Sequence, residues 1–362
     1  MRPFNHMLAL RSEKGKAAMP APLSTDARTR IISALTEGNS IRATARMVNV
    51  HRDTVMDLGL RVGEGCARLH NRLVRDVAAH VIECDEEWSW IHTKSARVKP
   101  TDPTEWGDAY SYLALDATSR LLVSWHVGKR DDANTRIFID DLRARLTVQP
   151  HIATDGWVPY IGAVADAFKG ACDFGQVVKK YGTGSRRGPD HKYEPPRDPF
   201  CVRTPVSGSP EFALMSTSLI ERVNGTLRHV VGRKRRLCLA FSKTLRGHKA
   251  AVVLGVMAYN FVRIHGTLGT APAVVARLTD APWTIAQLVE AALAEVETEA
   301  PRAKVLTPRP GSAPARQTKS GSWLRLVAAA APPTSAPKLA EVPRPARQLS
   351  LFPGLEGPDN GS

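Results

Sequence analysis

The spacing of apolar residues changes character near residue 80. Before that point it is helical. Ile31, Ile32 and Leu35 fall on one face of a helix that Gly38 ends. Ser40 caps "SIRATARM", "VNV" turns the chain, and "HRDTVMDLGLRV" starts a second helix, with the small Ala45 at the crossing. A connecting helix is expected around Ala67 to Val77. Beyond it, "HVIECDEEWSWIHT", "AYSYLALDA" and "LLVSWHVGK" are rich in β-branched and aromatic residues and read as strands, separated by "KPTDPTEWGD" and "DATSR". Ile137, Phe138 and Leu142 then stripe a helix over Asn134 to Leu146. A strand "PHIATD", a helix "WVPYIGAVADAFKG" and a strand "FGQVVKKYG" follow. A long helix is predicted from Ser218 through "RHVVGRKRRL", with further helices over Thr244 to Val262 and Thr284 to Glu297.

Three strands, then helix, strand, helix and strand, is the order of an RNase H-like α/β domain, a meander joined to parallel crossovers. The expected fold is α/β: an RNase H-like catalytic domain over residues 80–275, preceded by an all-α helix-turn-helix module over 24–66 and a connecting helix over 67–79. The Gly-, Pro-, Ser- and Arg-rich stretch 182–213 reads as an inserted loop, and 276–300 as a C-terminal helix. Residues 1–23 and the Pro/Ala-rich stretch 301–362 read as disordered tails.

Charge narrows the class of partner. Lysine and arginine outnumber acids 50 to 35, for a formal charge of +15, which favours a polyanion. No apolar run approaches the roughly 20 residues of a membrane helix, and the N-terminus lacks a secretory core, so nucleic acid is favoured over a membrane surface and the expected location is cytoplasmic and nucleoid-associated. The five cysteines show neither C-x-x-C nor zinc-finger spacing, so reduced thiols and no zinc are expected.

Three acids occupy positions where an α/β sheet gathers ligands: Asp85 in the first strand, Asp155 at the carboxyl end of the fourth, and Glu221 on the first turn of the long helix. Carboxylates suit Mg²⁺, with Mn²⁺ able to substitute, and two such ions about 3.5–4 Å apart support phosphoryl transfer on DNA. Each acid has a plainer reading. Glu83, Asp85 and Glu87 share one strand face, as a solvated edge would allow, while Ile82, Cys84, Trp88 and Trp90 largely cover the other. "TDGW" suits a turn, and Ser218 with Glu221 matches a capping box. Among Glu83, Asp85 and Asp116, the residues alone do not choose. Asn224 and Arg228 follow Glu221 on one helix face, and no acid occurs from Arg222 to Thr279. A helix so basic fits bound DNA, with Arg228 near a phosphate and Asn224, Arg233, Lys234, Arg235 and Arg236 beside it.

"CDEEWSWI", "TDGWVPY" and "LIERVNGTLRHVVGRKRRLCLAFSKT" resemble the three catalytic blocks of the bacterial insertion-sequence-one family of DDE transposases, over roughly Val81 to Ala271. The resemblance implies Asp85, Asp155 and Glu221 as the metal-binding triad and Arg228 as the basic residue seven positions after the Glu. It implies cleavage and joining of double-stranded DNA, both element ends and target, by a homo-oligomer. The family's N-terminal zinc finger has no counterpart here. End recognition then falls to the helix-turn-helix, with Arg42, Arg46, His51, Arg52 and Thr54 as candidate contacts; a purely structural or dimerising bundle is the alternative. Gln348, Leu349, Ser350, Leu351 and Phe352 resemble the pentapeptide that docks on the replication sliding clamp, against accidental composition. Two other functions stay open: a non-catalytic DNA-binding regulator derived from a transposase, and a nuclease without joining activity.

Overall fold

A computed structural model describes residues 23–180, 200–235 and 239–298. All but the last residue of the expected leader, the whole expected tail over 301–362 with the clamp-like pentapeptide Gln348–Phe352, and Arg236 lie outside them. The chain opens with three helices, α1 (Thr25–Thr36), α2 (Ile41–Val48) and α3 (Arg52–Leu73). Ser24 and Ser40 accept the N–H groups of Ala27 and Ala43 at the first two starts, which relieves helix-end donors that would otherwise lack partners. Asn49 takes the left-handed conformation, φ 55°, that ends α2.

Six strands form one sheet: β1 (Val81–Ile91), β2 (Gly107–Asp116), β3 (Leu122–Gly128), β4 (His151–Thr154), β5 (Asp173–Lys180) and β6 (Phe200–Ser207), in the order β3-β2-β1-β4-β5-β6. β1, β2 and β3 are an antiparallel meander, and β4 and β5 add in parallel. α4 (Asp132–Arg145) and α5 (Pro159–Phe168) make the crossovers. The order of elements read from apolar spacing is therefore present. α6 (Ser218–Val230), α7 (Leu245–Met257), α8 (Pro272–Val275) and α9 (Ile285–Thr298) complete the described chain, with a π-helical turn over Ala258–Val262.

The two faces of β2 show how the sheet is covered. Tyr112 and Ala114 pack with Phe138, Leu142, Tyr160 and Phe168 of α4 and α5. Leu113 and Leu115 pack with Ile220, Val223 and Leu227 of α6 and Val252 and Val256 of α7. Alternation in the strand sends successive side chains to opposite helical layers.

Three expectations about element boundaries are revised. The recognition and connecting helices are one continuous α3 of 22 residues, so the boundary expected at residue 66 falls inside a helix. Val55, Leu58, Val62 and Leu69 share a core with Val253, Met257, Leu288 and Ala292. The stretch read as an inserted loop contains β6, which pairs antiparallel with β5; main-chain bonding holds this exposed edge strand, Pro205 included, without needing apolar side chains. The long helix stops at Val230, and Gly232–Lys234 forms a 3₁₀ turn. There Gly232 passes so close to Gly38 that a Cβ would lie 2.9 Å from its carbonyl oxygen.

Glycines also set the distance between α3 and α9. A Cβ on Gly65 would lie 1.9 Å from the Ala292 carbonyl oxygen, whereas one on Gly225 meets nothing within 4 Å. Gly65→Ala should therefore cost about 1–3 kcal/mol of unfolding free energy through overpacking, while Gly225→Ala should add about 0.5–1 kcal/mol by the helix preference of alanine. Urea unfolding measures both, and effects of the same sign would contradict this packing.

Candidate metal centre

β1 and β4 run side by side only from Val81 to Glu83. Past that point β4 ends, and β1 continues alone on this side. Asp155, immediately after β4, comes level with the middle of β1 at the place where strand order switches direction, which is where α/β sheets form a crevice. Single carboxylate oxygens of Asp85, Glu86 and Asp155 lie within 4.8 Å of one another there.

The four acids of β1 have different surroundings. Glu83 accepts the backbone N–H groups of Leu219 and Ile220 at 2.8 and 3.0 Å, so it caps α6 from another element. Asp85 receives 2.8 Å from Asn224 Nδ2. Glu87 is fully buried against Arg228, 2.9 Å away, and Lys234. These three share the α6 face, and the repulsion expected among them is relieved by helix N–H groups, an amide and two cations.

Glu86 points to the opposite layer. Its side chain is 1% exposed, and no donor meets either oxygen in well-aligned hydrogen-bond geometry. Arg130 lies 3.1 Å from it and donates 2.8 Å to Asp155, while stacking on Trp157 at 4.3 Å. The buried Tyr160 hydroxyl faces the Glu86 carboxylate from α5. Burial first and the Asp155 charge second push the Glu86 carboxyl up to about 7, with Tyr160 and Arg130 opposing. Asp85 is pushed up to about 6, again by burial first and Asp155 second. A buried carboxylate beside two others, with one arginine shared between it and Asp155, is short of positive charge. Hard oxygen donors in this arrangement fit a divalent cation.

Glu221 stands apart from that group. Lys179 on β5 donates to it at 2.6 Å, and Thr217 Oγ1 at 3.0 Å. Its charge nevertheless contributes to raising Asp85, so it borders the crevice. The capping box expected from Ser218 does not form. Thr217 is the N-cap and Glu83 takes the first N–H groups, which leaves the Glu221 carboxylate turned to Lys179.

Several expected DNA contacts have partners within the fold. Asn224 is 2% exposed and orients Asp85; Lys234 is buried on Glu87, where burial pulls its ammonium down. Arg228 is committed to Glu87, and Arg233 is partly buried. Arg235 is exposed and donates to the His229 carbonyl at 3.2 Å. Of the N-terminal set, Arg42, Arg46, His51 and Arg52 are exposed and Thr54 is half-buried. Asp116 closes the β2–β3 turn through Thr118 and Ser119. Glu86, Arg130 and Lys179 were missed from sequence. The one available signal was parity: Glu86 is an acid at an inward position of an apolar strand face.

No family model matches the chain, and no curated protein matches it in sequence. Among solved structures, it is similar to a Mos1 transposase paired-end complex with left transposon end, at 12% identity over 42% of this chain and 59% of that one, TM-score 0.19. A Mos1 mariner paired-end complex with Mn gives 13%, 43%, 60% and 0.18. A piggyBac transposase synaptic complex with hairpin DNA gives 10%, 75%, 64% and 0.29. The chain spans less than two thirds of each of those chains. Superpositions this loose carry no weight for fold or function.

Adjacent acids on β1 should respond oppositely to neutralisation. Glu86 and Asp85 are raised above their unfolded values, so their ionisation costs stability. That cost is full above the folded value and relieved as pH falls through it. Metal-free protein should therefore gain stability between about pH 8 and about pH 5. Glu86→Gln should stabilise it near pH 8, in chelator, by on the order of 1–3 kcal/mol and flatten that dependence. Glu87→Gln, which strands Arg228 and Lys234 together, should cost about 3–5 kcal/mol. Denaturant titration in chelator checks both, and a shared sign would refute the assignment.

Proposed function

We propose that this chain is a DDE-type DNA transposase, an RNase H-like domain that cuts and joins DNA with divalent metal, using α1–α3 to read element ends. The observation that carries the reading is the convergence of Asp85, Glu86 and Asp155 at the sheet's switch point, with Glu86 buried and Arg130 shared between it and Asp155. The three sequence blocks that resemble the bacterial insertion-sequence-one family fall on β1, on the β4 end and on α6. The basic balance of the chain suits double-stranded DNA as substrate, and no described helix is long and apolar enough to cross a membrane.

In this reading Asp85, Asp155 and Glu86 hold Mg²⁺ or Mn²⁺, and Glu221 joins them by giving up Lys179. A bound ion would polarise the phosphate and lower the pKa of the attacking water or 3′-hydroxyl. The protein's own residues prepare the site. Asn224 fixes the Asp85 rotamer, and Glu83 anchors the helix that carries Asn224 and Glu221. Arg228 and Lys234 hold the next turn down through Glu87. Arg130 and Lys179, each already on a carboxylate, can pass to substrate phosphate when metal takes the acids. Arg42, Arg46, His51 and Arg52 on the exposed side of α2 and the start of α3 supply end recognition, with Thr54 at its margin. The protein works as a homo-oligomer that brings two ends together, and the Gln348–Phe352 segment tethers it to the sliding clamp.

Wild-type protein incubated with its element ends and Mg²⁺ or Mn²⁺ should nick and join them. Asp85→Asn, Asp155→Asn and Glu221→Gln should each lower the rate by at least about a hundredfold, as loss of a charge stabiliser at the reacting centre does. Inactive wild type, or active Asn variants, would defeat the reading. Arg42→Ala with Arg46→Ala should weaken end binding and reduce the slope of log affinity against log salt by about 2. An unchanged slope would remove α2 from the interface.

A further inference from the structure

Beyond the carboxylates, the β1 face that carries Glu86 continues as aromatic rings. Trp88 and Trp90 follow at two-residue steps, which places Trp90 about 13 Å from Glu86 along the strand. Their ring centroids are 5.3 Å apart. Phe241, from the segment before α7, stacks on Trp90 at 5.6 Å and 27°. Ser242 bridges to Ile91, and the His92 N–H donates to its carbonyl at 2.8 Å, which fixes that segment beside the strand end. Toward Glu86 the row is unbroken: β2 sets Tyr110 opposite Trp88, and Arg130 lies 5.8 Å from the Tyr110 ring.

These rings are not core. Trp125, Trp157 and Trp283 pack against the main hydrophobic cluster, but Trp88, Trp90 and Phe241 belong to neither cluster and stay partly exposed. Lysines cover them: Lys94 sits 5.5 Å over Trp90, and Lys243 4.3 Å over Phe241. Apolar rings kept outside the core, with lysine ammonium groups over Trp90 and Phe241, suit a ligand with flat faces and negative charge. Unpaired nucleotides have both. Their bases stack on aromatic rings irrespective of sequence, and their phosphates draw lysines.

We propose that Trp88, Trp90 and Phe241 form a stacking platform for one or two unpaired bases of DNA whose neighbouring phosphate lies at the Asp85–Glu86–Asp155 cluster. Lys94 and Lys243 leave the ring faces and take the phosphates of the same nucleotides. The platform holds a frayed or single-stranded end beside the reacting strand. This inference rests on the proposed reading of the carboxylates as a DNA-cutting site, but the binding it describes needs no metal and no chemistry.

The test is fluorescence anisotropy of the full chain in chelator, with a blunt duplex and with the same duplex carrying three unpaired thymidines. The intact protein should bind the overhang about tenfold more tightly, as stacking of a base allows. Trp90→Ala should bring that ratio close to one, and Trp90→Phe should retain most of it. The ratio does not depend on how much of a variant is folded. Equal binding of the two DNAs by the intact chain, or an undiminished ratio in Trp90→Ala, would overturn the platform and leave the rings to a protein partner. Failure to bind either DNA would overturn the proposed function along with it. Loss of cleavage with the ratio preserved, as expected in Asp155→Asn, would support the platform as a separate element.

Discussion

Four acidic side chains leave β1 between Glu83 and Glu87, and the need to accommodate their charge governs how this protein is assembled around one strand. At low dielectric, unneutralised carboxylates this close are untenable. The strand alternates, so the charge is divided between two layers. On one face α6 meets Glu83 with its first N–H groups, Asp85 with Asn224, and Glu87 with Arg228, while Lys234 closes from the turn beyond. On the other, Glu86 is left with Arg130, shared with Asp155. The position of α6 follows from this pairing as much as from Ile220, Val223 and Leu227 packing on the sheet.

The unequal treatment of these acids separates scaffold from chemistry. Glu83 and Glu87 are held by fixed partners and act as anchors, although burial raises Glu83 as well. Asp85 and Glu86 are incompletely compensated, carry raised pKa values and lie where β4 ends. Charge deficiency concentrated at a strand end is what a cation site requires, and a protein that keeps it there accepts some loss of stability. Arg130 and Lys179 moderate that loss by lying on Asp155 with Glu86 and on Glu221. They also leave cations at hand for a polyanion.

The element order was legible in the sequence because period two and period 3.6 alternate cleanly from residue 80 onward, and caps such as Ser24, Ser40 and Thr244 bond as their types suggest. Where local chemistry yielded to tertiary contact, the sequence was a poorer guide. α3 runs through three glycines because neighbouring helices need the space. β6 is held by an edge rather than by its composition. The S-x-x-E pattern at Ser218 looked like a self-contained cap, yet Glu83, more than 130 residues away, does that work. In the site itself, Asp155 follows from its place at a strand end, whereas the choice of Asp85 over Glu83 and Asp116 rests on the resemblance to the transposase blocks. Two of the basic residues read as DNA contacts, Arg228 and Lys234, are counter-ions of Glu87, and nothing in a run of Arg and Lys says which of them faces that carboxylate. Glu86 is the single acid on the face of β1 that also carries Ile82, Cys84, Trp88 and Trp90, and only its parity sets it apart from the acids on the other face.

The central claim is that this crevice is a divalent-cation site formed by Asp85, Glu86 and Asp155. Anomalous diffraction from crystals soaked in Mn²⁺ tests it most directly. A peak bounded by those three carboxylates, with Arg130 withdrawn from Glu86, is expected. Mn²⁺ bound elsewhere, or a crevice still closed by Arg130 at saturating Mn²⁺, would contradict it.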